Sequence, residues 1–109
     1  MSAVTTHVLD AAAGEPATGI AVRLENADGT AELGRATTDD DGRAREIGPD
    51  RLDVGDYRLT FDTGEYFART GTDTFYPRVQ ITFRIADPAQ HYHVPLLLSP
   101  FAYSTYRGS

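Results

Sequence analysis

Two histidines one residue apart, His91 and His93, a third at His7 and an arginine at Arg43 are the side chains here whose types could carry chemistry. Imidazole titrates near neutral pH and can take a proton from water. The planar guanidinium can clamp an anion or a carbonyl oxygen. In the stretch from His91 to Leu98, Tyr92, Val94, Leu96 and Leu98 fall on one side of an extended chain and His91, His93, Pro95 and Leu97 on the other. If the apolar set faces a core, both histidines point outward beside Pro95 and Leu97, a face that reads as half site and half subunit interface. Three roles stay open for the pair: plain surface residues, metal ligands joined by His7, or acid-base groups. Pattern alone does not choose between them. The direction of His7 is equally open, because Val4 to Leu9 has apolar residues on both faces, and Arg43 opens a strand where a salt-bridged edge charge is the ordinary role.

The segment from Phe101 to Ser109 is a further candidate. Chain ends are usually frayed and polar, whereas this one keeps aromatic and β-branched residues up to Tyr106. A strand-like end predicts docking, which would fix the Tyr106 hydroxyl, the Arg107 guanidinium, the Gly108 amide and the Ser109 carboxylate in one place.

The elements that must hold these groups are legible as alternation between turn signals. Turns are marked by Gly14 to Gly19, Asp28-Gly29, Asp41-Gly42, Gly48-Pro49, Gly55-Asp56, Asp87-Pro88 and Ser99-Pro100. Between them Ile20, Val22 and Leu24, then Tyr57, Leu59 and Phe61, then Val79, Ile81, Phe83 and Ile85 alternate with polar residues, as half-buried strands do. With Val4 to Leu9, Glu32 to Thr38, Arg43 to Ile47, His91 to Leu98 and Tyr103 to Arg107 these make about eight strands, an all-β antiparallel sandwich. Thr63 to Thr70, with Asp62 or Thr63 as N-cap and Gly71 as stop, predicts one short helix.

At 109 residues the chain has the length of one domain, read here as 1–109. Without cysteine it can have neither a disulfide framework nor a thiolate metal site. A net charge of −6 argues against a nucleic-acid partner. No apolar run is long enough to span a membrane, and no signal-peptide pattern opens the chain, so a soluble cytoplasmic protein is expected. The acidic turn Asp39-Asp40-Asp41 reads as solvated, since a calcium loop needs a longer series of oxygen ligands.

Thr6 to Asp10, Gly14 to Gly19, Asp41-Gly42-Arg43, Phe75-Tyr76-Pro77 and above all the run His91 to Ser109 resemble the 5-hydroxyisourate hydrolases, in order and over essentially the whole chain. The resemblance implies a transthyretin-like sandwich of two four-stranded sheets with one short α-helix, assembled as a homotetramer, a dimer of dimers with clefts between dimers. It implies a small-molecule substrate, 5-hydroxyisourate, hydrolysed at its cyclic amide without cofactor or metal. It places catalytic roles on His7, Arg43, His93 and Ser109. Substrate contacts fall on His7, Arg43, Tyr106, Arg107 and Gly108, and His91 ranks below His93. The alternative is a non-enzymatic transthyretin-like carrier, which would be expected to have exchanged this polar set for an apolar channel.

Overall fold

The computed structural model describes residues 2–109, with elements in the order β1 (Val4–Asp10), β2 (Glu15–Pro16), β3 (Ala21–Asn26), β4 (Glu32–Thr37), β5 (Arg43–Ala44), β6 (Gly55–Phe61), α1 (Thr63–Ala68), β7 (Val79–Ile85), β8 (Tyr92–Ser99) and β9 (Ala102–Thr105). They form two sheets. One has the order β2-β1-β8-β9 with β5 also paired to β1; the other runs β4-β3-β6-β7. The inner faces are the apolar sets that alternation selects: Val4 and Val8 of β1 with Val94, Leu96 and Leu98 of β8 meet Val22, Leu24, Leu59, Phe61, Val79 and Ile85 from the opposite sheet, all buried. Among the described residues no helix is long and apolar enough to cross a membrane.

The structure departs from the expected architecture in three places that matter for the site. First, the sandwich is not wholly antiparallel: β1 and β8 run parallel, with Thr5 opposite His93 and His7 opposite Pro95. Alternation within a strand carries no information about its neighbour's direction, so this pairing is invisible in the sequence. Second, the first sheet has five strands. Two of them have only two residues, and β5 stops at Ala44 instead of Ile47 because the Ile47 amide donates to the Ser2 hydroxyl rather than to a strand. Ser2 is itself buried, with its hydroxyl 2.6 Å from the Val4 carbonyl and 2.8 Å from the Arg45 carbonyl, sharing one proton between them. Third, the last strand spans Ala102–Thr105, and the chain then bends so that only Gly108 pairs again, with His93.

The helix is a single turn and a half. It ends at Ala68 rather than Thr70, and Asp62 flanks it without a side-chain cap bond; its carboxylate accepts instead from Arg23. Phe67 is buried, and the Tyr66 hydroxyl donates to Asp10 at the end of β1. Burial, with the Asp10 carboxylate beside it, pushes the Tyr66 phenol up to about 12, so Tyr66 stays a donor and ties the helix to β1.

Pro95 sits inside β8, where a missing amide would normally break a ladder. Pairing with β9 begins one residue later, at Leu96 opposite Thr105, so the missing donor falls in the gap between that ladder and the Gly108 bridge. The Pro95 carbonyl is still used, accepting from the Thr105 hydroxyl at 2.6 Å.

The turn into β5 is built by Asp39 and Gly42. The Asp39 carboxylate accepts from the amides of Asp41 and Arg43 and from the Arg45 guanidinium. The Arg43 amide is the foremost reason that the carboxyl titrates below its usual range. Gly42 has φ 75°, and a Cβ there would lie 2.3 Å from the Val8 carbonyl oxygen. Gly42→Ala is therefore expected to lower stability by about 1–2 kcal/mol from the left-handed backbone alone, with the clash against β1 added. Urea unfolding reads this; an unchanged midpoint would refute the account of the turn.

Candidate active site

On β1 the inward residues are Val4, Thr6, Val8 and Asp10, which leaves Thr5, His7 and Leu9 on the outer face. The direction of His7, open in the sequence, is thus settled by packing. The parallel register sets Thr5 beside His93 and His7 beside Pro95. On the other side of β1, β5 runs antiparallel with Arg43 opposite His7. Strands lie about 4.8 Å apart, so Arg43, His7 and His93 occupy three adjacent strands on one outer face.

The tail supplies the remaining wall. The Gly108 amide donates to the His93 carbonyl at 2.9 Å, and a Cβ on Gly108 would come within 2.5 Å of the His93 ring. Only glycine allows the chain to lie this close, which is the physical reason for its position in the tail. The result is an open cleft of about 450 Å³ lined by Thr5, Thr6, His7, Arg43, Arg45, His91, His93, Tyr106, Gly108 and Ser109. Six of the seven residues assigned to the site from the sequence resemblance come together here: His7, Arg43, His93, Tyr106, Gly108 and Ser109.

Arg107, expected to contact substrate, does not line this cleft. Its guanidinium stacks 4.5 Å from the centre of the Tyr92 ring and donates to Gln90. The chain bends after Thr105; Tyr106 lines the cleft, while the Tyr92 ring and Gln90 hold the Arg107 side chain away from it. In this position Arg107 pins the tail that carries Gly108, a contact of cation and ring worth roughly 0.5–1 kcal/mol at an exposed site.

Sequence reasoning passed over Thr5 and Arg45. The period-2 pattern contained a signal for both, since Thr5 shares a face with His7 and Arg45 with Arg43. The Thr5 hydroxyl is 2.8 Å from His91 Nε2 and 2.8 Å from His93 Nδ1. With Nδ1 engaged, Nε2 is the His93 nitrogen left for the cleft. Arg45 reaches the cleft wall while paired with Asp39.

No Asp or Glu among the described residues lines the cleft. His93 is half-buried in this cationic setting. Burial, followed by the Arg43 charge and then by His7 and His91, holds its imidazole below the ordinary value, so it is neutral and able to accept a proton at neutral pH. Among the described residues no group of three or more His, Cys, Asp and Glu side chains is arranged to hold a metal ion. A proton acceptor, an adjacent cation and open space between them suit attack of water on a polarised carbonyl.

The chain is similar in sequence and in shape to known proteins. Residues 4–108 match the HIUase/Transthyretin family. The chain is 48% identical to the 5-hydroxyisourate hydrolase of Caulobacter vibrioides, over 100% of both chains. It is 44% identical to that of Mus musculus, over 99% of this chain and 96% of the relative. Among solved structures, the 5-hydroxyisourate hydrolase of Klebsiella pneumoniae superposes with a TM-score of 0.89 at 39% identity, covering 100% of this chain and 94% of that one. Sea bream transthyretin in complex with thyroxine gives 0.87 at 32% identity, covering 96% and 93%. Sequence over nearly its full length and fold together place this chain in the HIUase/Transthyretin family, to which it belongs.

Proposed function

We propose that the chain is a single-domain 5-hydroxyisourate hydrolase, opening the cyclic amide of 5-hydroxyisourate to give 2-oxo-4-hydroxy-4-carboxy-5-ureidoimidazoline. The observation that carries the reading is the placement of His93 with His7 and Arg43 in one cleft whose wall includes no Asp or Glu side chain among the described residues. Relatives named for this activity, 44–48% identical over nearly the whole chain, support it.

In the reaction His93 Nε2 takes a proton from water as the oxygen adds to the lactam carbonyl. The Arg43 guanidinium stabilises the negative charge that develops on the carbonyl oxygen. The tetrahedral species collapses with cleavage of the ring C–N bond, and the proton held by His93 passes to the leaving nitrogen. His7, opposite Arg43, helps to hold water and substrate. Tyr106, Gly108 and Ser109 orient the heterocycle, and Arg107 acts from outside by holding the tail. Two imidazoles and a guanidinium supply both the proton transfer and the electrophilic help, so the scheme calls for no metal or other cofactor.

Sea bream transthyretin, the thyroxine complex, favours a second reading as a carrier. A wall of histidine and arginine side chains suits a polar heterocycle better than an iodinated aromatic hormone.

We further propose a homotetramer in which two such clefts face each other. Leu9 and Leu97, only half-buried on the outer face of the site sheet, and the exposed aromatics Phe75, Phe101 and Tyr103 are surfaces that subunit contacts would cover. A cytoplasmic location fits a small water-soluble substrate.

The protein should accelerate the ultraviolet-monitored decay of freshly made 5-hydroxyisourate; equal decay with and without it would end the enzyme reading. His93→Ala and Arg43→Ala should each lower kcat/KM by at least about tenfold, and full activity in both would remove them from the chemistry. Since the base must be neutral, the acid limb of kcat/KM should lie below imidazole's usual value of about 6.5. Arg43→Gln should move that limb to higher pH, because one of the charges depressing His93 is gone. The linkage has the same sign for folding: the neutral-ring contribution to stability is complete above the ordinary imidazole value and is lost as pH falls through the depressed one. An unmoved limb in Arg43→Gln would show that another group titrates. Sedimentation equilibrium should return the mass of four chains, and a monomer would refute the assembly.

A further inference from the structure

A hydroxyl has one proton to donate. The Thr5 hydroxyl has two imidazole nitrogens at 2.8 Å, His91 Nε2 and His93 Nδ1. With these as its partners, the satisfied arrangement has Thr5 donating to one ring and accepting from the other, so the proton positions of the two histidines are linked. If Thr5 donates to His91, His93 carries its proton on Nδ1 and keeps a lone pair on Nε2. If Thr5 donates to His93, a neutral His93 carries its proton on Nε2 and has no lone pair left for water. Only the first arrangement serves the base described above, and the inference rests on that reading of His93.

We propose that Thr5 and His91 are positioning residues for His93: the Thr5 hydroxyl, donated to a neutral His91, holds His93 in its Nδ1–H tautomer with Nε2 ready to take the proton of water. The same link makes His91 a point of control. A doubly protonated His91 can only donate, which turns the Thr5 proton toward His93 Nδ1 and withdraws the base.

The placement suits this role. Thr5 is buried at 6% exposure and held by the β1–β8 register directly beside His93, so its hydroxyl has little freedom to leave the pair. His91 is exposed at the outer end of the link. The other charged or titratable groups around the His93 ring are Arg43 from β5 and His7 from β1, with Arg45, the Tyr106 phenol and the terminal carboxylate of Ser109 on the cleft wall. None of them hydrogen-bonds to Thr5, so the link runs through Thr5 alone.

The test uses the full chain labelled with nitrogen-15 in histidine, at about pH 8, where free imidazole is neutral. In the wild type, the His93 resonances should show Nδ1 protonated and Nε2 bare. Thr5→Val should shift His93 toward the Nε2–H form and lower kcat by at least about tenfold, with KM changed less than about twofold. Thr5→Ser, which keeps the hydroxyl, should keep the wild-type tautomer and most of kcat. His91→Ala, at an exposed position that does not threaten the fold, should reproduce both effects of Thr5→Val by removing the acceptor. A wild-type His93 protonated on Nε2 would overturn the proposal. So would an unchanged tautomer and kcat in both Thr5→Val and His91→Ala. Failure of the underlying reading looks different: His93→Ala would then be fully active, whereas an essential His93 whose tautomer ignores Thr5 sinks this inference alone.

Discussion

The parallel pairing of β1 with β8 is the constraint from which the site follows. Seven residue pairs run in unbroken register from Val4 opposite Tyr92 to Asp10 opposite Leu98. The buried residues on the inner faces fix that register, since a slip of one position would turn Val4, Val8, Val94 and Leu96 outward and Thr5, His7 and His93 into the core. The hydrophobic term that stabilises the sandwich therefore also sets which polar side chains meet. Thr5 stands beside His93 because Val4 and Val94 have to be inside.

Everything else in the cleft is hung on those two strands. β5 has only two residues, yet it places Arg43 opposite His7 because its turn is held by the Asp39 carboxylate and by the left-handed Gly42, with Ser2 holding the chain beyond it. The tail is held at three points: the Thr105 hydroxyl on the Pro95 carbonyl, the Arg107 guanidinium on Tyr92, and the Gly108 amide on the His93 carbonyl. Pro95 fits this arrangement, since a residue without an amide stands where β9 lets go of β8 and the tail swings toward the cleft.

The electrostatics run against the chain as a whole. The protein carries a formal charge of −6, yet the cleft wall holds His7, His91, His93, Arg43 and Arg45 and no Asp or Glu side chain among the described residues. Local cationic surroundings and partial burial act together on His93, keeping it neutral while Arg43 remains charged beside it. An acceptor and a cation in one cleft would neutralise each other's purpose if the acceptor were a carboxylate; imidazole avoids this because its reactive form is uncharged. The cationic wall also favours approach of an electron-rich heterocycle.

Much of this was legible before any coordinates. Alternation fixed the inner faces of β3, β6, β7 and β8, and the pattern of turns placed most strand boundaries, because burial on one face of a strand is a local, period-2 property. The resemblance carried by the run from His91 to Ser109 pointed to the residues of the cleft. Three things could not be read in this way: the parallel partner of β8, the direction of His7, and the side to which Arg107 turns. Each depends on which strand lies alongside or on how the chain bends after Thr105, and those are set by contacts between residues distant in the chain, such as Thr5 with His93, 88 positions apart. The sequence by itself determined the chemical inventory and the faces; only the tertiary structure decided that the Thr5 hydroxyl would lie between two imidazoles, because a one-residue register between distant strands is a property of the packed core and not of either strand alone.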